Sequence, residues 1–209
     1  MNFLSEIIHI PFFSSEECQQ CVEYLEDKEK YLKTISVDYE NKFKESSICT
    51  NLYDEYNFFL DNPQYIGRLE KVISKFLKVK YPLFVQSWGN IYRENEGIKW
   101  HKHNIDDFLW YNGYTANIFL GGDENIGLTY ATHHENEPRY VYNHIKNKLG
   151  YLILMPNYIY HMVKKNDSKT IRYTIGMTIS EHSDPINDHF DPEKVLCLHK
   201  QNEKTYRYA

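Results

Sequence analysis

Apolar and polar residues recur with two different periods along this chain, and the change from one to the other falls near residue 83. Before it, Ser14, Ser15, Glu16 and Glu17 form a capping-box start to a segment with Cys18, Cys21, Val22 and Leu25 at i, i+3, i+4 and i+7, which predicts an amphipathic helix. A second helix is predicted over residues 64–78, with Leu69, Val72, Ile73 and Phe76 on one face and Pro82 beyond its end. After residue 83 the period becomes two: Phe84, Gln86, Trp88, Asn90 and Tyr92 alternate with Leu83, Val85, Ser87, Gly89 and Ile91. Strand-like runs follow at 114–120, 127–131, 139–142, 150–155, 158–163 and 170–179, separated by turn clusters such as Gly121-Gly122-Asp123 and Pro156-Asn157. Helices followed by many short strands predict an antiparallel sandwich or barrel with a helical buttress.

At 209 residues and 42% hydrophobic, the chain can bury one sizeable core, so a single domain is expected. Its parts are a helical lead-in and support (1–82), a β core (83–180) and a polar C-terminal extension of weak structure (181–209). The net charge of -5, with no basic run longer than Lys164-Lys165, disfavours nucleic acid as a partner. Apolar stretches such as residues 7–13, interrupted by His9 and Pro11, fall far short of the roughly 20 residues a membrane helix needs, so no membrane association is expected. Four irregularly spaced cysteines are not a secreted disulfide framework, and a reducing cytoplasm is the expected compartment. Cys18 and Cys21 form a CxxC, but both fall on the apolar stripe of their helix and no second CxxC follows, so core packing is expected of them.

Three of the ten histidines are placed where chemistry is possible. His101 and His103 are two residues apart, so in an extended segment both rings project to one face and can grip one metal ion. His161, from a later strand, would complete a triangular face and leave other coordination positions open, as a catalytic metal requires. Arg172 lies in a strand where Thr170, Arg172, Thr174, Gly176 and Thr178 alternate with Ile171, Tyr173, Ile175, Met177 and Ile179. Inside a barrel such a guanidinium is costly without an anion, and it can hold a carboxylate bidentately with a neighbouring hydroxyl adding a donor.

The order Asn90-Ile91-Tyr92, Gly97, Trp100-His101-Lys102-His103, the strand 114–120, Gly150-Tyr-Leu-Ile-Leu-Met-Pro156, His161 and Arg172-Tyr173-Thr174 resembles the iron(II)/2-oxoglutarate oxygenase superfamily, in its prolyl 4-hydroxylase-like branch. The resemblance covers residues 87–179, and the opening Ile10-Pro11-Phe12-Phe13 also resembles the lead-in to the first helix of such enzymes. It implies a double-stranded β-helix, a jelly-roll or cupin-like core, with an N-terminal helical buttress. It further implies Fe(II) as cofactor, 2-oxoglutarate as co-substrate, O2 as oxidant, and release of succinate and CO2 as an unidentified protein side chain or small molecule is oxidised.

Carried over residue by residue, the resemblance implies that His101 and His161 bind iron and that Arg172, with Thr174 beside it, holds the distal carboxylate of 2-oxoglutarate. Tyr92 and Asn90 fall on co-substrate contacts. The departure is His103, which stands where the family normally has an aspartate, as in HxH members from phage and bacteria; Asp106 or Asp107 is the alternative third ligand, without the usual spacing. Aromatic residues 108–111 and the loop 133–138 are candidate walls or lids. Two rival readings keep the barrel: a three-histidine cupin-like dioxygenase without 2-oxoglutarate, and a non-catalytic binding barrel. Neither the primary substrate nor the oligomeric state follows from the sequence.

Overall fold

Helix α1 (Ser15–Ile35) begins with a reciprocal capping box: the Ser14 N–H donates to Glu17 Oε2 at 2.8 Å and the Glu17 N–H to Ser14 Oγ at 3.2 Å. Its apolar stripe buries Cys18, Cys21, Leu25 and Leu32. The two thiols are free, and burial pushes them up to about 11 and about 12, so the CxxC packs and does not react. The short helices α2 (Ile48–Asn51) and α3 (Phe58–Asp61) follow, then α4 (Ile66–Phe76), whose Leu69 and Ile73 are buried. Arg68 of α4 grips Glu17 with two bonds of 2.7 and 2.8 Å, holding that carboxyl at about 2. This computed structural model describes residues 7–35, 47–77, 82–103, 113–133, 140–181 and 192–198.

Ten described strands form two antiparallel sheets. The larger has the order β1 (Ile8–Pro11), β7 (Tyr151–Pro156), β4 (Tyr114–Gly121), β9 (Arg172–Ser180), β2 (Leu83–Tyr92), β10 (Leu196–Leu198). The smaller runs β3 (Ile98–His101), β8 (Tyr160–Val163), β5 (Leu128–His133), β6 (Tyr140–Ile145). The period of two assigns the faces of the larger sheet. Val85, Ile91, Ala116, Ile118, Leu152, Leu154, Ile175 and Met177 pack in one cluster with the helices. The opposite parity faces the smaller sheet: Tyr92, Ile153 and Met155 meet Leu128, Tyr130 and Val163 in a second, smaller cluster. The mostly polar remainder of that inner face leaves room for a site between the sheets.

Three strands are absent from the sequence reading, each for a physical reason. β1 contains Pro11 and earns its extended form from pairing with β7. The predicted lead-in thus contributes a strand to the sheet as well as helices. β10, inside the segment read as a weakly structured extension, is three residues long and pairs with β2. β3 is short and bulged between Ile98 and His101, which blurs its alternation. Gly150, with φ of 73°, sets the junction before β7: a Cβ there would collide with the Phe13 carbonyl, while the Gly150 carbonyl accepts the Phe12 and Phe13 N–H groups at 2.8 and 2.9 Å.

Candidate metal centre and anion site

The smaller sheet sets the histidines by register. His101 at the end of β3 stands opposite His161 of β8, which stands opposite Tyr130 of β5. His103 lies two residues past β3, where its N–H donates to the Asn157 carbonyl at 3.2 Å. Ring centroids are 4.2 Å apart for His101–His161, 5.3 Å for His101–His103 and 5.1 Å for His103–His161. One nitrogen of each ring lies within 4.8 Å of the others. His161 is buried and the other two are partly exposed.

His101 Nδ1 lies 2.8 Å from the Lys99 carbonyl and His161 Nδ1 2.9 Å from the Ile159 carbonyl. A carbonyl only accepts, so each Nδ1 carries the proton and each Nε2 keeps its lone pair for a cation. Burial lowers all three imidazoles, His161 to about 3 and His103 well below the ordinary 6.5, with the neighbouring imidazoles adding to the effect in both. Neutral nitrogen donors in a triangle fit a divalent transition metal.

Arg172 opens β9 opposite Tyr92 and is completely buried. Its Cζ lies 5.1 Å from the Tyr92 ring centroid, yet Nε and both terminal nitrogens have no hydrogen-bond partner among the described residues. Burial pushes the guanidinium down to about 10, so it remains a cation at neutral pH. Gly122, with φ of 113°, lets the chain pass close, since a Cβ there would come within 2.7 Å of Arg172 Cα. A buried, charged, unpartnered fork is a binding site for an anion, and a carboxylate matches its geometry.

Thr174, next on the same face, accepts from Asn90 Nδ2 and from Asn117 Nδ2, both at 3.1 Å. Two amide donors fill its lone pairs, which leaves the hydroxyl hydrogen free to point at an acceptor. Asn90 Oδ1 is engaged by Thr50 Oγ1 at 3.0 Å and Trp88 Nε1 at 3.2 Å. Asn90 is therefore fixed by its neighbours and aims Thr174.

One cavity is lined by His101, His103, His161, Asn90, Tyr92, Trp88, Thr115 and Asn117 among others. The structure thus brings the three histidines together with Asn90 and Tyr92, and it places Arg172 and Thr174 on the inward parity of β9. Asp106, Asp107 and the aromatic residues 108–111 lie outside the described residues, as do residues 134–138 of the second candidate lid. Trp88, Thr115, Asn117 and Thr178 were not singled out from the sequence. Parity could have found all four: Trp88 shares a face with Asn90 and Tyr92, Thr115 and Asn117 are polar residues on the face opposite Ala116 and Ile118, and Thr178 shares a face with Arg172 and Thr174.

No family model matches this sequence, and no curated protein does. Solved structures match in fold. A prolyl-4-hydroxylase from Pseudomonas putida aligns with a TM-score of 0.55 at 8% identity, covering 87% of this chain and 96% of that one. The viral collagen prolyl hydroxylase of Paramecium Bursaria Chlorella virus-1, in a 2-oxoglutarate complex, gives 0.55 at 14% identity, covering 85% and 97%. HygX from Streptomyces hygroscopicus, with nickel and 2-oxoglutarate bound, gives 0.59 at 12% identity, covering 85% and 84%. This chain therefore has the double-stranded β-helix fold that these oxygenases share.

Proposed function

We propose that the protein is an iron(II)- and 2-oxoglutarate-dependent oxygenase that oxidises an unidentified protein side chain or small molecule, releasing succinate and CO2. The observation that carries this reading is Arg172, a buried cation without an anion, on the inner face of the strand whose Thr178 touches the histidine cluster. A dicarboxylate fits such a pair of sites, one end for the guanidinium and the other toward the cluster. His101, His103 and His161 would hold the metal through Nε2. Bound there, iron with 2-oxoglutarate and O2 supplies the oxidising power for attack on a C–H bond.

The chain's own residues do the positioning. The Arg172 fork binds the distal carboxylate and the Thr174 hydroxyl adds a donor, aimed by Asn90 and Asn117. Tyr92 covers one face of the guanidinium, which directs the carboxylate to its edge. Met155, Val163, Ile98 and Leu128 give the cavity an apolar side that limits water. No described helix is long and apolar enough to cross a membrane, and the free thiols suit the reducing cytoplasm.

The test is conversion of 2-oxoglutarate to succinate by the purified protein with Fe(II), ascorbate and O2, lost in the His101→Ala variant. No succinate from metal-loaded protein, with or without candidate substrates, would reject the reading. His103 in place of a carboxylate favours one alternative, a three-histidine dioxygenase that binds substrate directly, with Arg172 holding a substrate carboxylate. Metal binding without any affinity for 2-oxoglutarate is its signature.

A further inference from the structure

The third imidazole is held differently from the other two. His101 and His161 meet backbone carbonyls at Nδ1, whereas His103 meets hydroxyls at both nitrogens: Thr178 Oγ1 lies 2.8 Å from Nδ1 and Thr115 Oγ1 lies 3.4 Å from Nε2. A carbonyl fixes a tautomer because it only accepts, but a hydroxyl can donate or accept. The Thr115 hydroxyl donates to the Met177 carbonyl at 3.1 Å, so toward His103 it presents a lone pair. Thr178 is 2% exposed, and its hydroxyl needs an acceptor. Among the described residues the acceptor in hydrogen-bond contact is His103 Nδ1. Both contacts therefore select the tautomer with the proton on Nε2, the reverse of His101 and His161.

Trp88 stacks on the His103 ring with centroids 6.0 Å apart and planes at 20°, and Gly176 leaves room for that indole, since a Cβ there would come within 2.9 Å of it. The ring is thus held in its plane, and what remains free to change is the position of its proton. We infer that Thr178 is a positioning residue that keeps His103 in the Nε2–H tautomer until a metal ion arrives, which makes His103 the conditional ligand of the three. This rests on the reading of the cluster as a metal site. When His103 engages, Nε2 gives its proton to water and Nδ1 takes one from water, the ring's charge is unchanged, and Thr178 Oγ turns from donor to acceptor, its hydroxyl hydrogen losing the acceptor it had, a cost that binding must offset. His101 and His161 need no such change.

Long-range 1H–15N spectra of protein carrying 15N-histidine read the tautomers directly. Without metal, His101 and His161 are expected as Nδ1–H and His103 as Nε2–H. One equivalent of Zn(II) should shift all three rings and convert His103 to Nδ1–H. Thr178→Val should remove the Nε2–H preference of His103 while leaving the His101 and His161 signals in place, and Thr178→Ser should restore it. A His103 that is already Nδ1–H before zinc, or whose 15N shifts ignore Thr178→Val, overturns the inference. If zinc moves none of the three rings, the metal-site reading fails, and the metal-free spectra still decide the part played by Thr178.

Discussion

Replacing Arg172 by methionine separates a binding role from a structural one, because the two predict opposite changes in stability. The guanidinium is wholly buried without an anion, and its pKa is pushed from the ordinary 12.5 to about 10. Keeping the charge under those conditions costs about 3 kcal/mol. The folded-state value lies below the ordinary one, so this cost stands in full at every pH below about 10 and fades only as pH rises from there. Methionine fills much of the same space with no charge. Arg172→Met without ligand should therefore melt above the wild type, by roughly 5 °C if most of the penalty is recovered in a chain of this size. Loss of a buried charge-assisted fork costs about 2–5 kcal/mol in binding, so 2-oxoglutarate affinity should fall at least tenfold. The assay is calorimetric titration of 2-oxoglutarate into the Mn(II)-loaded protein without O2, beside thermal melts of the metal-free forms. A variant that melts below the wild type and binds 2-oxoglutarate unchanged would refute the reasoning, since Arg172 would then be a structural cation.

The double variant His101→Ala/His161→Ala should lose Mn(II) or Co(II) binding altogether, whereas His103→Asp should retain it; full metal occupancy in the double variant would put the site elsewhere. Gly150→Ala forces a side chain into a positive-φ position against the Phe13 carbonyl and should cost about 2 kcal/mol or more in urea unfolding, and a change under 0.5 kcal/mol, roughly the limit for an unconstrained site, counts against that account of the junction before β7. Glu17, held at about 2 by Arg68 against an ordinary 4.5, contributes stability that is present above pH 4.5 and lost as pH falls toward 2. Glu17→Gln should flatten that acid limb by no more than about 1 kcal/mol, the pair being partly exposed, and an unaltered limb in acid titrations of both proteins would show the pair to be inert.

Strands whose two faces differ in chemistry were legible in the sequence. In β9 one parity is Ile175, Met177 and Ile179 against the helices and the other is Arg172, Thr174 and Thr178 toward the interior, and in β2 Leu83, Val85 and Ile91 join the helix-side core while Gln86, Asn90 and Tyr92 lie on the other parity. Helix α1 was legible because its start is written in local hydrogen bonding. What the sequence hid is set by tertiary contact. Nothing near Thr178 indicates that its hydroxyl will meet His103, because that ring arrives from beyond another strand of the other sheet. Asn166 is equally silent: its amide donates to the Tyr92 and Thr170 carbonyls, tying the end of β2 to the approach to β9, and only the fold brings those chain positions together. The paired spacing of His101 and His103 was visible, but the bulge that shapes β3 was not.

That bulge has a mechanical consequence. Among the described residues β3 is an edge strand attached to β8 alone, with two paired positions, one on each side of the irregularity. An edge so lightly held can peel, and peeling bares backbone N–H and C=O groups to any other chain nearby. An ion gripped by His101 on the edge and by His161 on its neighbour would rivet the two strands together, closing a long loop as a cross-link does. Metal-free protein would then be the form that sticks to itself, through β3, and chelator would shorten the time that a concentrated sample stays monodisperse.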